Sequence, residues 1–468
     1  MPILQISQQT FPLKKYTSQT LYEIFRSPNS FLLESGKQDN YSFIGADPFL
    51  IFKSQKNNFW IKKRGNKNSN KKLTSNPFIA LKKIIKKYES SRTLKMPLFY
   101  GGAAGFISYE FSRFFDQTPQ LKNTSRNSNF IFNLPESIFL FCDHAIAINH
   151  SQKKFTIFGL GKTLTSAQKK VEAWKKKIYS SSQLIRHHPD QSLLHQKINS
   201  NFTRTEYISA IKKVKNYLRS GDTFQANISQ KFSTKTELDA FTLYQKLSKI
   251  NPAPFAAYFE FSDFQIISSS PERLFRVERG KILTQPIAGT RPRGENFSND
   301  KNLQNKLKTS PKELAEHIML VDLERNDLGR ICKFGSVQVK KFGTIEKYSH
   351  VQHLVSEIIG KLDPKKNAFD VLAALFPGGT ITGCPKIRTM EIIAELEKIP
   401  REIYTGSIGY FNFSDEADFN IAIRTFVKKD RQLNFSAGGG IVMDSVPEKE
   451  YDETLFKVQA LLESLKEN

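Results

Sequence analysis

Two helical stretches of the sequence each carry a pair of glutamates three residues apart. "PKELAEHIML" contains Glu313 and Glu316, and "PEKEYDETLF" contains Glu450 and Glu453. Residues three apart share one face of a helix, so each pair presents two carboxylates together. Two such pairs could supply oxygen ligands to Mg²⁺, which prefers a few carboxylates plus water and a substrate oxygen. For either pair alone, the alternative is a solvated helix face.

A second group of residues could bind an anion. Arg424 follows alternating apolar residues in the predicted strand "DFNIAIRTFV", and "SAGGGIV" contains Gly438, Gly439 and Gly440. Arginine can grip a carboxylate through two hydrogen bonds, and glycine lets backbone N–H groups approach a ligand closely. Tyr404 and Lys457 add further donors. Together these residues predict a site for a small dianion beside a metal ion.

The run "LFPGGTITGCPKIRTMEII", residues 375–393, places glycines before a helical pattern. Gly383 is followed by Cys384 and Pro385, so the phosphate-loop pattern of Gly-Lys-Ser/Thr is absent. Backbone N–H groups at a helix N-terminus still favour any anion, including a carboxylate. Plain helix capping is the alternative interpretation of this run.

Composition indicates a globular protein without a membrane span. The 468 residues are 39% hydrophobic and 12% aromatic, enough for a substantial core. The sequence shows neither an apolar run of membrane-spanning length nor a leader pattern, so we expect a cytoplasmic protein with no membrane partner. Three dispersed cysteines, at 142, 332 and 384, predict neither a disulfide framework nor a zinc site.

The net charge of +25 raises nucleic acid as a partner, but its distribution argues against that. The lysines lie in scattered groups, without a nucleic-acid-binding module around them. We therefore expect a solvated basic surface and no nucleic-acid partner.

Alternating strand and helix patterns indicate how these residues are positioned. Short strands and turns fill residues 1–180, apart from helices near 76–90 and 164–180, and a polar segment at 181–203 is expected to be a linker or surface excursion. The region 204–468 mixes long strands with helices near 204–219, 239–249, 311–328, 367–375, 384–397 and 447–466. Long antiparallel strands interleaved with helices predict an α+β fold of large sheets layered with helices, in which both regions pack as one unit.

Many motifs in one order give this sequence a family resemblance. Residues from about 200 to 466 resemble the chorismate-utilising enzymes: anthranilate synthase component I, aminodeoxychorismate synthase component I, and the isochorismate and salicylate synthases. The matching segments include "GDTFQANISQ", "SSSPERLF", "QPIAGTRPRG", "ELAEHIMLVDLERNDLGR", "GGTITGCPKIRTMEII", "IAIRT", "AGGGIV" and "EKEYDET". The N-terminal half is similar to the amidotransferase-dependent branch in "FLLESG" and "YGGAAGFISYE".

The resemblance implies chorismate as substrate and Mg²⁺ as cofactor. Glu316 and Glu453 match the metal ligands, with Glu313 and Glu450 close by. Glu272 matches a general acid near the departing hydroxyl, and His353 matches a residue near the ring. The implied substrate-binding positions are Thr380, Gly383, Tyr404, Arg424, Gly438, Gly439, Gly440 and Lys457.

Two positions narrow the expected reaction. Relatives that add water carry a lysine base where this chain has Gln225, and a neutral amide cannot act as that base. Ammonia is then the expected nucleophile. Ala288, in "PIAGT", stands where many aminodeoxychorismate synthases carry a lysine that attacks the ring. Other segments, such as "GGTITGCPK" and "TGSIGY", favour aminodeoxychorismate synthase, and anthranilate synthase is the alternative.

Further expectations concern regulation and partners. The segments "FLLES" and "NPAPF" match a tryptophan pocket in the family, formed by Leu33, Glu34, Ser35, Asn251, Pro252, Pro254 and Phe255. The sequence shows no glutaminase signature, so a separate glutamine amidotransferase subunit is expected to supply ammonia. The alternative from another functional class is a basic binding protein that has lost catalytic activity.

Overall fold

The computed structural model describes residues 3–35, 40–65, 71–90, 92–93, 96–115, 130–181, 197–347 and 351–466. Residues 182–196, most of the predicted linker, lie outside these ranges. No helix in the described part of the chain is both long and apolar enough to cross a membrane.

The described residues form strands and helices along the whole chain. The strands are β1 Gln5–Pro12, β2 Ser30–Glu34, β3 Tyr41–Gly45, β4 Leu50–Gln55, β5 Asn58–Lys63, β6 Lys71–Thr74, β7 Gly102–Ile107, β8 Ser137–Cys142, β9 His144–Asn149, β10 Lys154–Gly161, β11 Asn199–Ser200, β12 Gln225–Lys235, β13 Phe255–Glu260, β14 Gln265–Ser270, β15 Arg273–Glu278, β16 Lys281–Thr284, β17 Ile287–Pro292, β18 Gln338–Lys347, β19 Val351–Lys361, β20 Gly383–Cys384, β21 Ser407–Asn412, β22 Ala417–Asn420, β23 Thr425–Lys429 and β24 Gln432–Ile441. The helices are α1 Ser18–Phe25, α2 Pro77–Ile85, α3 Leu164–Ser180, α4 Arg204–Arg219, α5 Ala240–Ile250, α6 Phe297–Thr309, α7 Pro311–Gly329, α8 Ala368–Leu375, α9 Lys386–Glu397 and α10 Pro447–Ser464.

These strands make two large antiparallel sheets. The first has the order β1-β10-β9-β3-β2-β13-β14-β23-β24-β12-β11, with β20 also paired to β12. The second has the order β17-β19-β16-β15-β22-β21-β7-β8-β4-β5-β6, with β18 paired to β19. Both sheets therefore contain strands from the region 1–180 and from the region 204–468. The α+β fold of helices layered on large antiparallel sheets is confirmed.

The main core lies between the two sheets. It combines buried aromatic residues of the first sheet, such as Phe31 and Phe259, with those of the second, such as Phe52 and Phe411. A second apolar cluster joins α1, α3, α5 and α10 to the other face of the first sheet, and a third joins α4 and α9 to β12 and β24. The burial of both faces explains why strands such as β7 and β8 are apolar throughout.

Two of the places where the chain crosses from one sheet to the other are neighbours in space. Residues 271–272 connect β14 to β15, and residues 421–424 connect β22 to β23. The two crossovers are hydrogen-bonded to each other: the backbone N–H of Ile421 donates to the carbonyl of Glu272 at 3.0 Å, and the Ser270 hydroxyl donates to the carbonyl of Ile421 at 2.6 Å. Two candidate site residues, Glu272 and Arg424, are thereby held side by side between the sheets.

The structure corrects several expected elements. The strand predicted over 418–428 is divided, and Arg424 lies in the crossover with a φ of 50° instead of on a strand. Apolar residues continue to alternate along the sequence through residues 421–424, because the strands on both sides of this crossover are buried. The helices α1 and α6 were not expected from the sequence patterns. At the end of the predicted linker, Asn199 and Ser200 pair with β12.

Candidate active site

A cavity of about 580 Å³ brings together most of the predicted site residues. The two glutamate pairs reach it from helices on different sheets, because α7 packs on β17 and β19 while α10 packs on β24. The crossovers contribute Glu272 and Arg424. The predicted residues that line the cavity are Gln225, Glu272, Glu313, Glu316, His353, Thr380, Tyr404, Arg424, Gly438, Gly440, Glu450, Glu453 and Lys457.

The four glutamates differ in their surroundings. Glu313 pairs with Arg291 at 2.9 Å, Glu316 accepts a hydrogen bond from Gln225 Nε2 at 2.9 Å, and Glu453 pairs with Lys457 at 2.8 Å. Among the described residues, no three His, Cys, Asp or Glu side chains gather closely enough to form a ready-made metal cage.

The donor set nevertheless suits a hard divalent cation bound through few protein ligands. Carboxylates from two helices line one cavity, and an ionised carboxylate has about four lone-pair sites to offer as an acceptor. Mg²⁺ commonly takes one or two carboxylates and fills its remaining positions with water and substrate oxygens.

Glycines on β24 make room for these side chains. A Cβ at Gly440 would lie 2.2 Å from Gln225 Nε2 and 3.4 Å from Glu316 Oε1. At Gly439 a Cβ would lie 3.3 Å from Glu450 Oε2 and 3.8 Å from Glu453 Oε1. The glycine run therefore admits polar groups beside the strand, although Gly439 itself does not line the cavity.

Cationic groups give the cavity an anion-binding character. Arg424 is half-buried, and its Nη1 lies 3.4 Å from Asn251 Oδ1. Lys457 Nζ donates to the carbonyl oxygen of Gly438 at 2.9 Å and so lies over β24. Because guanidinium and ammonium groups attract carboxylates, these two side chains can receive a small dianion.

Glu272 and His353, which both line the cavity, have strongly shifted pKa values. Burial raises the pKa of Glu272 from 4.5 to about 7, so this carboxyl holds its proton near neutral pH. Burial lowers the pKa of His353 to about 3, so its imidazole is neutral. The site thus combines a proton donor with a neutral imidazole.

The glycine-rich segment divides between the cavity and the sheet. Thr380 lines the cavity, whereas Gly383 is not among the lining residues. Gly383 lies in β20, where a Cβ would be 2.0 Å from the carbonyl oxygen of Gln225. Glycine is needed at position 383 because the backbones of β20 and β12 approach each other too closely for a side chain.

Several residues of the site were not anticipated from the sequence. Asn227 lines the cavity two positions after Gln225, and alternation along a strand was the signal that could have found it. Arg291, the partner of Glu313, also lines the cavity. Arg401 binds Glu397 beneath the site, and the i,i+4 spacing of the two residues was the local signal for this pair.

The predicted tryptophan-pocket residues separate into two places. Leu33, Glu34, Ser35, Pro254 and Phe255 line a second cavity of about 320 Å³. Asn251 lines the larger cavity instead, and Pro252 is among the lining residues of neither. The second cavity also contains the Arg276–Asp418 ion pair, at 2.7 Å.

Comparison with known proteins identifies the family and agrees with the fold. The chorismate binding enzyme family matches residues 28–463. Anthranilate synthase component 1 of Acetivibrio thermocellus is 38% identical, over 93% of this chain and 90% of the relative. Aminodeoxychorismate synthase component 1 of Bacillus subtilis (strain 168) is also 38% identical, over 93% of this chain and 91% of the relative.

A solved structure extends this similarity to three dimensions. Anthranilate synthase component I from Streptococcus pneumoniae TIGR4 superposes with a TM-score of 0.77 at 30% identity, covering 91% of this chain and 93% of the other. The fold of two large sheets is therefore shared with a known class of enzymes. The chain belongs to the chorismate-binding enzyme family and is a chorismate-utilising enzyme.

Proposed function

We propose that this protein aminates chorismate with ammonia, as component I of an aminodeoxychorismate synthase. The observation that carries amination is Gln225, a buried neutral amide in the cavity. Water needs a base before it can attack, whereas ammonia already has a nucleophilic lone pair. A glutamine at this position therefore favours ammonia over water.

The substrate carboxylates would meet the two cationic side chains of the cavity. Arg424 and Lys457 offer charge-assisted hydrogen bonds, and Gly438 and Gly440 leave room beside β24. Glu316 and Glu453 would hold Mg²⁺, with Glu313 and Glu450 nearby. When bound, this ion supplies positive charge that holds a substrate carboxylate and stabilises negative charge.

Glu272 is the proton donor in this proposal. The ammonia lone pair forms the new C–N bond while the C–O bond to the ring hydroxyl breaks. The proton of Glu272 passes to the departing oxygen, which leaves as water, and the Glu272 carboxylate can then accept the extra proton of the new amine. The raised pKa of Glu272, about 7, supports this role because an acid must be protonated at the working pH.

The position of amination separates two candidate products. The segments "GGTITGCPK", "TGSIGY" and "GGGIV" favour the C4 amine, aminodeoxychorismate. Ala288 favours the second candidate, anthranilate synthase, because it lines the cavity without a group able to attack the ring. The C2 route would end with loss of the enolpyruvyl group as pyruvate.

Purified protein with chorismate, Mg²⁺ and ammonium chloride tests both candidates. Fluorescence detects anthranilate, and chromatography after addition of a lyase detects 4-aminobenzoate formed from aminodeoxychorismate. We expect the second product. Anthranilate alone would select the alternative, and absence of both together with tight nucleic-acid binding would select a non-catalytic basic protein.

A separate glutamine amidotransferase subunit is the proposed source of ammonia in the cell. The two relatives above are each named component 1, which implies a partner component for those proteins. The expected result is that adding such a subunit makes glutamine an effective nitrogen donor. Unchanged activity with glutamine would contradict this part of the proposal.

The smaller cavity is proposed to bind tryptophan. It offers Glu34 and the Arg276–Asp418 pair to the charged groups of an amino acid, and Phe255 to its ring. Tryptophan is expected to raise the melting temperature and slow chorismate turnover. If neither quantity changes, the cavity has no regulatory role of this kind.

A further inference from the structure

We infer that Glu110 is a positioning residue for the active site and acts through Tyr404. Glu110 lies in the N-terminal region, in the short 3₁₀ helix Tyr109–Phe114, and is not among the residues that line the large cavity. Tyr404 is half-buried and lines that cavity. The inference rests on the proposed binding of chorismate there, and it names the residue that fixes one of the substrate-binding side chains.

Tyr404 lies in a tight turn between α9 and β21, residues 400–406, which we call the Tyr404 turn. The backbone is left-handed at Glu402 and Thr405, where φ is 56° and 58°. This conformation is uncommon for residues other than glycine and persists only where surrounding contacts hold it. The position of Tyr404 therefore depends on the groups that bind the turn.

The Glu110 carboxylate binds the start of the Tyr404 turn through two backbone N–H groups. Glu110 Oε1 accepts a hydrogen bond from the N–H of Arg401 at 2.7 Å, and Glu110 Oε2 accepts one from the N–H of Glu402 at 3.1 Å. From the same 3₁₀ helix, the backbone N–H of Tyr109 donates to the carbonyl oxygen of Glu402 at 2.8 Å. Glu110 is only 8% exposed, so the loss of its acceptors would leave N–H groups that water cannot readily satisfy. The carboxylate thus holds the turn where its backbone becomes left-handed.

Two other elements complete the support of the Tyr404 turn. Lys231 Nζ on β12 pairs with Glu402 Oε2 at 2.9 Å. At the other end of the turn, the N–H of Thr405 donates to the carbonyl oxygen of Ala422 at 2.8 Å. Ala422 belongs to the crossover that carries Arg424. The turn is thus attached on both sides of its cavity-lining residue, and Glu110 provides the attachment to the N-terminal region.

The hydroxyl of Tyr404 gives this attachment a consequence for substrate binding. A phenol is protonated at neutral pH and can donate a hydrogen bond to a substrate carboxylate. The strength of such a bond falls steeply when its distance or angle departs from the optimum. A displaced turn would therefore weaken the binding of chorismate, although Glu110 itself does not line the cavity.

Steady-state kinetics of the full chain with chorismate, Mg²⁺ and ammonium chloride test the inference. Glu110→Gln keeps the size of the side chain but presents an NH₂ group to one of the two backbone N–H donors. We expect the KM for chorismate to rise about tenfold while kcat changes less than about threefold, because the lost interaction binds substrate and transition state alike. Glu136→Gln is the matched control, since Glu136 is half-buried, pairs with Arg113 of the same 3₁₀ helix and does not line the cavity. Its KM should stay within about twofold of the wild-type value.

A double-mutant cycle separates positioning from a purely structural role. Tyr404→Phe removes the hydroxyl, and in that background Glu110→Gln should raise the KM for chorismate by less than about twofold. An increase as large as in the wild-type background would show that Glu110 does not act through Tyr404 and would overturn the inference. An unchanged KM in folded Glu110→Gln would overturn it as well.

Two further measurements keep the test decisive. If Glu110→Gln does not fold, Glu110→Asp gives the same comparison, because the shorter side chain withdraws the carboxylate from the turn while the charge is retained. If the wild-type protein forms no amine from chorismate, the proposed function is refuted. Calorimetric titration of chorismate into the same variants then decides the role of Glu110 separately, with a loss of affinity expected that disappears in the Tyr404→Phe background.

Discussion

Arg401 and Glu397 form a fully buried ion pair beneath the active site. The guanidinium donates from Nε to Glu397 Oε2 at 2.8 Å and from Nη2 to Glu397 Oε1 at 2.6 Å. It also donates to the carbonyl oxygens of Ile381 and Asn227, at 2.9 and 2.7 Å. One side chain thus ties α9 to the glycine-rich segment and to β12, both of which line the cavity.

Removal of Arg401 is expected to destabilise the protein strongly. Arg401→Met leaves a buried carboxylate without its cation, which costs about 3–5 kcal/mol in comparable cases. Urea unfolding measures the loss, and Glu397→Leu combined with Arg401→Met should recover part of it. Arg325→Met is the control, because Arg325 and Asp322 form an exposed pair expected to contribute less than about 1 kcal/mol. Equal effects of the two single changes would contradict the importance of burial.

Glu316→Gln is expected to weaken magnesium-dependent turnover sharply. The amide cannot supply a charged oxygen ligand, so more Mg²⁺ should be needed for half-maximal activity. Magnesium titrations of chorismate turnover measure the change. Glu448→Gln is the matched control, since Glu448 is exposed on α10 and does not line the cavity. An unaltered magnesium requirement in Glu316→Gln would count against the metal assignment.

The pH dependence of the reaction should report the protonation of Glu272. Its pKa of about 7 means that the protonated fraction falls as the pH rises above 7. We expect kcat/KM for chorismate to fall over that range when the concentration of free ammonia is held constant. The Glu272→Gln variant should have a low kcat/KM for chorismate at every pH and should not show this decline above pH 7. The same decline in the variant would assign it to another group.

Stability should respond to the same titration with a defined sign. The folded-state pKa of Glu272, about 7, lies above its ordinary value of 4.5. Wild type therefore loses stability relative to Glu272→Gln as the pH rises from about 4.5 through 7, because the folded state holds a proton that the unfolded chain releases. Unfolding at pH 4 and pH 8 measures the difference, and a constant difference would contradict the raised pKa.

Two adjacent glycines offer a steric test of the site. Gly440→Ala places a Cβ 2.2 Å from Gln225 Nε2, so the amide must move away from Glu316. Gly439→Ala brings a Cβ only to 3.3 Å from Glu450 Oε2, which requires a small adjustment. We expect Gly440→Ala to lose most of its ammonia-dependent kcat/KM and Gly439→Ala to retain more. The opposite order would mean that the position of the Gln225 amide is unimportant.

Gln225→Lys tests the choice of nucleophile. A lysine here would supply the base that water attack requires, and its ammonium form could pair with Glu316. We expect some isochorismate to form from chorismate in the variant, detected by chromatography without added ammonium. Absence of isochorismate from a folded variant would weaken the argument that residue 225 selects ammonia.

Local patterns were sufficient to predict many of the elements, and most of the predicted catalytic, metal-binding and substrate-binding residues line the cavity. α4 was predicted to within a residue because its periodicity and a capping box formed by Thr203 and Glu206 are both local. Glu313 and Glu316 were grouped correctly because helical spacing alone sets their common face. The order of the motifs along the chain was sufficient to indicate the family.

Long-range contacts decided the remaining features. Arg424 was assigned to a strand because apolar alternation does not show where a chain leaves one sheet for another. Asn251 was grouped with Pro254 because the segment "NPAPF" matches a tryptophan pocket in the family, although Asn251 lines the larger cavity. Patterns along the chain carry no information about which distant side chain fills a given space.

The sequence by itself determined the residue types of the site, the helical faces that carry its carboxylates, and the absence of a lysine at positions 225 and 288. These properties depend on local spacing and identity. Only the tertiary structure decided that α7 and α10 present their glutamates to one cavity, that burial raises the pKa of Glu272, and that two amide oxygens of β12 remain without donors among the described residues. Desolvation and hydrogen-bond geometry arise from packing between distant segments, so they exist only in the folded chain.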